Sequence, residues 1–448
     1  MKKTAKLLGI LLSLTVAVTL CSCRKKAPYN SDYSSYFVFG GNSDSSEEIS
    51  EESELPKSEI TEKASEKSSQ TPAPSSGGAV IDTVIKDKEI KRVPYTGIRI
   101  KSDRLTVFSS LGSARQEIYK KLLAATEEFT TGWIDLGKLD GDFKSDISAA
   151  FQALCDDYPE MFWLPSAYLL SHTETGEIAV MFEGKSESYT LSYLASKTEA
   201  QSMKARLEEV VNSVTAATKS LSSQFETELY IHDFICGNTT YTTNGKYIYS
   251  AYGALVDKNA VCEGYSRAFA LLCSKAGINS FLVRGVSKGQ NHMWNTVSID
   301  NAWYNIDVTW DDQNINGNPT YSYFNLTDAE LNSDHSPASY ISPKSGKADE
   351  SGLFNLTKNS CTASEMNYFV HEKLILNSES EIGELSSYIN WQLDQGKHFA
   401  QIKVTNQGLL ADASSLRGKI AEAMQRNFHI SLNGMNLIQN TNYIIVYF

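Results

Sequence analysis

The chain is poor in cysteine. Its seven cysteines in 448 residues show no paired spacing, which excludes a disulfide framework as the source of its stability. Positive charge is also short: 41 Lys and Arg stand against 53 Asp and Glu, a net charge of −12 that argues against a nucleic-acid partner. The apolar run Leu7–Leu20 is short for spanning a bilayer. From residue 24 to about 90 large apolar side chains are scarce and Ser, Glu, Lys and Pro dominate. Such a composition cannot bury enough surface to fold, and it reads as a disordered tether. Half of the net charge sits there, with nine acidic and three basic residues between Gly41 and Gly78. The remainder is only mildly acidic, so charge says little about a substrate.

What is present begins with a targeting segment at residues 1–23. Lys2, Lys3 and Lys6 form a positive start and Leu7–Leu20 an apolar core. The run ends Leu20-Cys21-Ser22-Cys23, which resembles a bacterial lipoprotein cleavage box with Cys23 as the lipidated residue. Cys21 fits less well, because Leu20 would occupy the small position before it. The expectation is an exported protein, lipid-anchored at the extracellular face of the cell membrane; an uncleaved anchor is the alternative.

The rest is long enough for two or three domains, and its 41% hydrophobic content is ordinary for a globular chain. Residues 91–222 read as an α/β region. Helices are expected at 113–129, with Ile118, Leu122, Leu123 and Ala125 inward, at 143–157, and at 198–220, with Leu207, Val210, Val211 and Val214 inward. Strand-like runs fall at 167–171, 178–182 and 189–193. No nucleophile or metal constellation is visible in this region, whose expected job is to wall one side of a cleft.

Cys262 stands at the start of a helix of about 15 residues. Tyr265, Phe269, Leu272 and Ala276 carry the buried stripe, Gly277 suits a left-handed closing position, and Asn259 is a plausible N-cap. Unpaired backbone N–H groups and the dipole there favour thiolate over thiol. Glu263 pulls the other way, so an imidazolium neighbour must dominate.

Strands are expected at 281–286, 292–299 and 302–309. Asp300 and Asn301 tolerate the positive φ of a two-residue hairpin turn. That loop pairs Ile299 with Ala302 and, counting back, Trp294 with Asp307, which puts His292 on the same face as Asp307 and within diagonal reach. A slip of one residue would part them. Cys262 as nucleophile, His292 as base and Asp307 as the group that orients the imidazole then follow. The backbone N–H of Cys262 is one oxyanion donor; Tyr252 is a candidate for the second, and Trp294 for the cleft, although Trp294, Trp303 and Trp310 suit a core better than a substrate platform.

Cys262-Glu263-Gly264-Tyr265-Ser266, Lys275-Ala276-Gly277-Ile278, His292-Met293-Trp294-Asn295 and Trp303 through Asp312 together resemble the transglutaminase-like core, a branch of the papain-like cysteine enzymes. The resemblance implies the triad Cys262, His292 and Asp307, and Gly-Tyr after the nucleophile is similar to the variant in secreted bacterial proteins. Ala260 and Asn301 stand where many members carry glycine.

The expected fold is α+β: a papain-like core over residues 223–345 in which a nucleophile-bearing helix packs on an antiparallel sheet. It is preceded by the 91–222 region and followed by a small α/β domain at 360–448. In that last domain Tyr368–Leu376, Phe399–Val404 and Tyr443–Phe448 are strand-like, Ile382–Leu393 and Ser414–Asn427 helical. Cys155, Cys236, Cys273 and Cys361 read as small buried hydrophobes, His232 as structural, and Asp311 and Asp312 as solvated turn carboxylates. No metal or other cofactor is called for. The function expected is a thiol enzyme acting on an amide in a protein or peptide, with hydrolysis ahead of cross-linking. A surface binding module with a vestigial triad and a cell-wall scaffold acting through the C-terminal domain are the other classes. The oligomeric state is not legible.

Overall fold

The computed structural model describes residues 79–448 except 102–104, 186–189, 314–317, 349–352 and 438–441. The targeting segment, Cys23 and most of the expected tether lie outside the described residues. The fold is α+β and carries three larger sheets in chain order.

The first sheet has strand order β1-β4-β5-β3-β2, with β1 Ala79–Ile85, β2 Ile90–Lys91, β3 Trp133–Gly137, β4 Leu169–Thr173 and β5 Ile178–Met181. Its first strand corrects the tether boundary placed at residue 90. Residues 79–85 pair in parallel with β4, and Ile85 and Ile90 are buried against Ala179. Helix α1 (Ser113–Glu128) buries Ile118, Leu122, Leu123 and Ala125. Helix α2 (Phe143–Asp157) starts at Asp142, whose side chain accepts from the Ser145 amide. Helix α3 (Lys197–Thr218) opens with a capping box in which Ser196 and Glu199 satisfy each other's backbone N–H. It buries Leu207, Val211 and Val214, with Val210 at the edge of the stripe.

Helix α4 (Gln224–Asn238) leads to α5 (Cys262–Ala276). The second sheet follows, antiparallel throughout, in the order β8-β7-β6-β9: β6 Asn279–Ser287, β7 Gln290–Ile299, β8 Ala302–Ile306 and β9 His335–Pro337. Helix α5 lies on β6 and β7, and α3 and α4 pack against it in turn. Two polar contacts pin it to β7: Ser266 Oγ donates to the Met293 carbonyl (3.0 Å), and Asn295 Nδ2 donates to the Ser266 carbonyl (3.1 Å). The third sheet has order β10-β11-β13-β12, with β10 Ile375–Leu376, β11 Phe399–Val404, β12 Gly434–Leu437 and β13 Tyr443–Tyr447; α7 (Ile382–Asp394) packs on it and α8 (Ala413–Phe428) packs on α7. The strand expected over 368–376 is instead a short helix, Tyr368–His371, followed by β10. Asn367 caps that helix by accepting from the Phe369 amide, a local bond that outweighs the β propensity of its aromatic residues.

Buried charge ties the first region to the core. Arg284 on β6 holds Asp156 at the end of α2 through two hydrogen bonds, 2.6 and 3.1 Å. Arg115 on α1, 1% exposed, donates to the carbonyls of Ser342, Pro343 and Gly346. Among the described residues no helix is long and apolar enough to cross a membrane.

Glu228 on α4 is fully buried. Oε2 accepts from Asn325 Nδ2 at 2.8 Å and Oε1 has no partner. Burial pushes this carboxyl up to about 8, so it is neutral at pH 7. A group whose pKa is raised by folding is neutral in both states below about pH 4.5, and its contribution to stability is lost as pH rises toward 8. The loss amounts to about 1.4 kcal/mol for each pH unit in that window. Thermal melts of Glu228→Gln should therefore lack the part of the pH 5–8 decline that this group causes and exceed wild type above pH 8.

Candidate active site

Helix α5 starts without a side-chain cap. Its N-cap is Val261, held by its amide donating to the Ile248 carbonyl (3.0 Å), so the cap expected at Asn259 is displaced by two residues. Asn259 instead begins a two-residue strand, Asn259–Ala260, that pairs in parallel with Thr240–Tyr241. Cys262 is the first residue of the helix. The first helical bond runs from the Tyr265 amide to the Val261 carbonyl, so the amides before it have no acceptor within the helix. At the other end Gly277 takes φ +82° and closes it. Glu263 does not oppose a thiolate alone: Arg267 one turn on pairs with it at 2.7 Å and also donates to the Cys155 carbonyl.

The hairpin has the two-residue loop, Asp300 at φ 49° and Asn301 at φ 68°, and Ile299 lies opposite Ala302. Strand β8 is shorter than the 302–309 expectation. It ends at Ile306 because Asp307 turns the chain into a one-turn helix, α6 (Val308–Asp311), by accepting from the Thr309 and Trp310 amides through Oδ1 at 3.0 and 3.1 Å. Its other oxygen, Oδ2, accepts from His292 Nε2 at 2.6 Å and from His335 Nε2 at 3.1 Å. Asp307 is fully buried. Burial would raise its carboxyl, but the two imidazoles outweigh that and hold it well below the usual carboxylate range.

Cys262 also acts on His292, with a sign that favours the imidazolium. Burial alone would lower its imidazole, yet the Asp307 charge and hydrogen bond, together with Cys262, push it up to about 10. With Nε2 taken by Asp307, Nδ1 is the nitrogen left to face the thiol. The ring stacks with Trp294 and meets Trp310 edge-on, both at 6.1 Å between centres. Cys262 is half-buried beside Met293, Leu282 and Ala270. Burial pushes the thiols of Cys155 and Cys236 up to about 12 and raises those of Cys273 and Cys361 too.

Two candidates for the cleft are core residues. Trp294 is 0% exposed and Tyr252 1%. Tyr252 packs on Phe162 (4.7 Å) and Tyr247 (5.5 Å). The face that carries it belongs to the turn 253–257, whose orientation no periodic pattern announces. Tyr249 is a tyrosine on which the charge of Cys262 acts. It is 42% exposed, and its hydroxyl is raised by partial burial and then by the charges of Glu263 and Cys262. It lies in an irregular segment 13 residues before Cys262, where the sequence offers no signal. His335 likewise lies in a segment without periodicity.

Asp311 is not solvated, and Asp312 is half-buried. Asp311 is fully buried against His232 Nε2 (3.3 Å), Thr320 Oγ1 (3.1 Å) and the Tyr323 amide (3.0 Å), and burial pushes it up to about 6. Asp312 accepts from the Tyr265 hydroxyl at 2.5 Å and is pushed by burial up to about 7. His232 is buried between Asp311 and Asp233.

Donor atoms of His292, Asp307 and His335 lie within 4.8 Å of one another. The 2.6 Å His292–Asp307 contact is a hydrogen-bond length. Two ligands bound to one tetrahedral zinc at about 2.0–2.1 Å would stand roughly 3.3 Å apart. Proton-bridged pairing accounts for the cluster.

Residues 209–308 match the family model of the transglutaminase-like superfamily, and that segment is a transglutaminase-like domain. Comparison with curated proteins gives no match. Solved structures similar to this chain include a candidate cysteine protease from Cytophaga hutchinsonii (18% identity, 25% of this chain and 40% of that one, TM-score 0.21). A TGase (16%, 38% and 48%, 0.22) and a candidate protease from Parabacteroides distasonis (11%, 31% and 35%, 0.20) are others. The chain thus spans less than half the length of each of these three.

Gly264 sits where the Ile248 carbonyl crosses the first turn of α5. A Cβ there would collide with that carbonyl and stand 2.7 Å from Ala260 Cβ. Gly264→Ala should cost about 1–3 kcal/mol as overpacking of a backbone contact, read as a lowered urea midpoint at unchanged slope.

Proposed function

We propose that the protein is an exported, lipid-anchored cysteine enzyme that cleaves an amide bond in a protein or peptide. The observation that carries the reading is the convergence of a helix-start cysteine, an imidazole and a buried carboxylate from three separate elements. Cys262 as thiolate adds to the amide carbonyl carbon while the carbonyl π pair moves onto oxygen. The unclaimed amides at the start of α5 face that charge, with the Tyr249 hydroxyl as a second donor. The oxyanion collapses, the C–N bond breaks, and His292 Nδ1–H delivers its proton to the leaving amine. Water, deprotonated by the now neutral His292, then attacks the thioester and releases the acid and the thiol. Asp307 keeps the ring in the tautomer that both steps need. Hydrolysis is favoured over transfer to a lysine amine because nothing among the described residues marks a dedicated amine site. Lipidation at Cys23, with residues 24–78 as spacer, would hold the enzyme at the outer membrane face.

Alkylation of the full-length protein with iodoacetamide, mapped by peptide, tests the pair. Cys262 should react well ahead of Cys155, Cys236, Cys273 and Cys361, and His292→Ala or Asp307→Asn should slow it by about two orders of magnitude near neutral pH. The advantage should fade as pH rises through about 10, where His292 loses its proton. Equal labelling of all the cysteines at every pH would sink the enzyme reading in favour of a binding module. Peptide substrates in 18O-labelled water then separate the two chemistries: a labelled new carboxylate means hydrolysis, whereas incorporation of an added fluorescent amine means cross-linking.

A further inference from the structure

His335 is 1% exposed on the edge strand β9, yet both of its ring nitrogens face carboxylates. Nε2 lies 3.1 Å from Asp307 Oδ2 and Nδ1 lies 2.6 Å from Asp334 Oδ1. Neutral imidazole has one N–H and one lone pair, so it can satisfy only one such partner and must point its lone pair at the other. Both carboxylates are held as anions. Asp307 receives four donors, and Asp334 accepts from the Tyr323 hydroxyl at 2.6 Å. The ring is also enclosed by Trp294, Trp310 and Tyr323 at 5.1, 5.5 and 5.6 Å between centres, distances at which aromatic rings attract a cation. Glycine at position 285 lets this enclosure close, since a Cβ there would meet the Trp294 ring at 2.6 Å.

We infer that His335 is a permanently protonated positioning residue whose imidazolium holds Asp307 from the side opposite His292 and sets the pH range over which Cys262 and His292 form an ion pair. The inference rests on the thiol-enzyme reading above. Its logic is electrostatic. His292 draws its proton affinity from Asp307, and a second cation on the same Oδ2 offsets part of that charge. His335 and His292 lie 5.4 Å apart between ring centres, close enough for one imidazolium to disfavour the other. The remaining charged neighbours are few. Asp307 and Cys262 face His292, while Asp307 and Asp334 face His335; Lys288 in the β6–β7 turn acts on Asp334 and stands 3.8 Å over the Trp310 ring, and Asp311 acts on Tyr323. Burial alone would lower the His335 imidazole, but the two carboxylates overcome it and raise it.

The test is the pH profile of Cys262 alkylation in full-length wild type and His335→Gln. Glutamine can keep one N–H donor toward Asp307 while deleting the charge. Removing a cation raises the proton affinity of every group near it, so the alkaline limb governed by His292 should move up by about one pH unit. A role as a structural brace alone would lower the rate at every pH and leave the limb in place, and that result overturns the inference, as does a downward shift. Should His335→Gln fail to fold, Asp334→Asn serves instead. It frees His335 to lose its proton and should move the limb in the same direction by less; an unmoved limb there again overturns the inference. If wild-type Cys262 shows no activation that His292→Ala removes, the enzyme reading falls and the role of His335 falls with it. A normal wild-type profile unchanged in His335→Gln removes only the role of His335.

Discussion

One buried carboxylate organises the centre of this molecule. Asp307 has no exposure to water, and an anion there is tolerable only if every acceptor site is filled. Filling them dictates the surroundings. Oδ1 starts α6 by taking two backbone amides, which is why strand β8 stops at Ile306. Oδ2 takes one imidazole from β7 and another from β9, so the hairpin register and the docking of the edge strand both serve the same atom. A register slip would leave a charge unpaired inside the core, a far larger penalty than the lost ladder bonds.

Helix α6 separates two clusters built from the same residue types and set in different surroundings. Asp307 at its start faces His292 and, through it, Cys262. Asp311 at its end faces His232, which lies 3.9 Å from Cys236. The difference lies in access and in the helix end. Cys262 is half-buried at the first residue of α5, where amides lack acceptors. Cys236 is buried in the last turn of α4, and burial pushes its thiol up to about 12. Composition alone would not choose between these two Cys–His–Asp sets; burial does.

Charged contacts help to hold the wall beside α5. Arg284 pairs with Asp156, and Arg267 reaches both Glu263 and the Cys155 carbonyl. The arginine that neutralises the carboxylate next to Cys262 therefore also joins α5 to α2. One side chain thus contributes both to the position of the first region and to the electrostatics beside Cys262.

Much of the centre was legible from sequence because short-range rules govern it. Helical spacing and Gly277 delimit α5, and a two-residue turn at Asp300 and Asn301 determines which residues of the hairpin share a face. Those rules place Cys262, His292 and Asp307 without any long-range information. They failed where a partner distant in sequence decides. Tyr252 and Trp294 face the core because Phe162 and His335 pack against them. Residues 79–85 form a strand because β4, about 90 residues on, supplies its hydrogen bonds. Asp311 is buried beneath the chain around Thr320, and Asp312 is half-buried against Tyr265. His335 lies 28 residues beyond Asp307 in a segment without periodicity, and only the pairing of β9 with β6 brings its ring to that carboxylate. Local chemistry thus determined which residues can form the nucleophile, base and carboxylate. Tertiary packing decided which of them carry charge and which carboxylates water can reach, because desolvation and pairing depend on neighbours that no local pattern encodes.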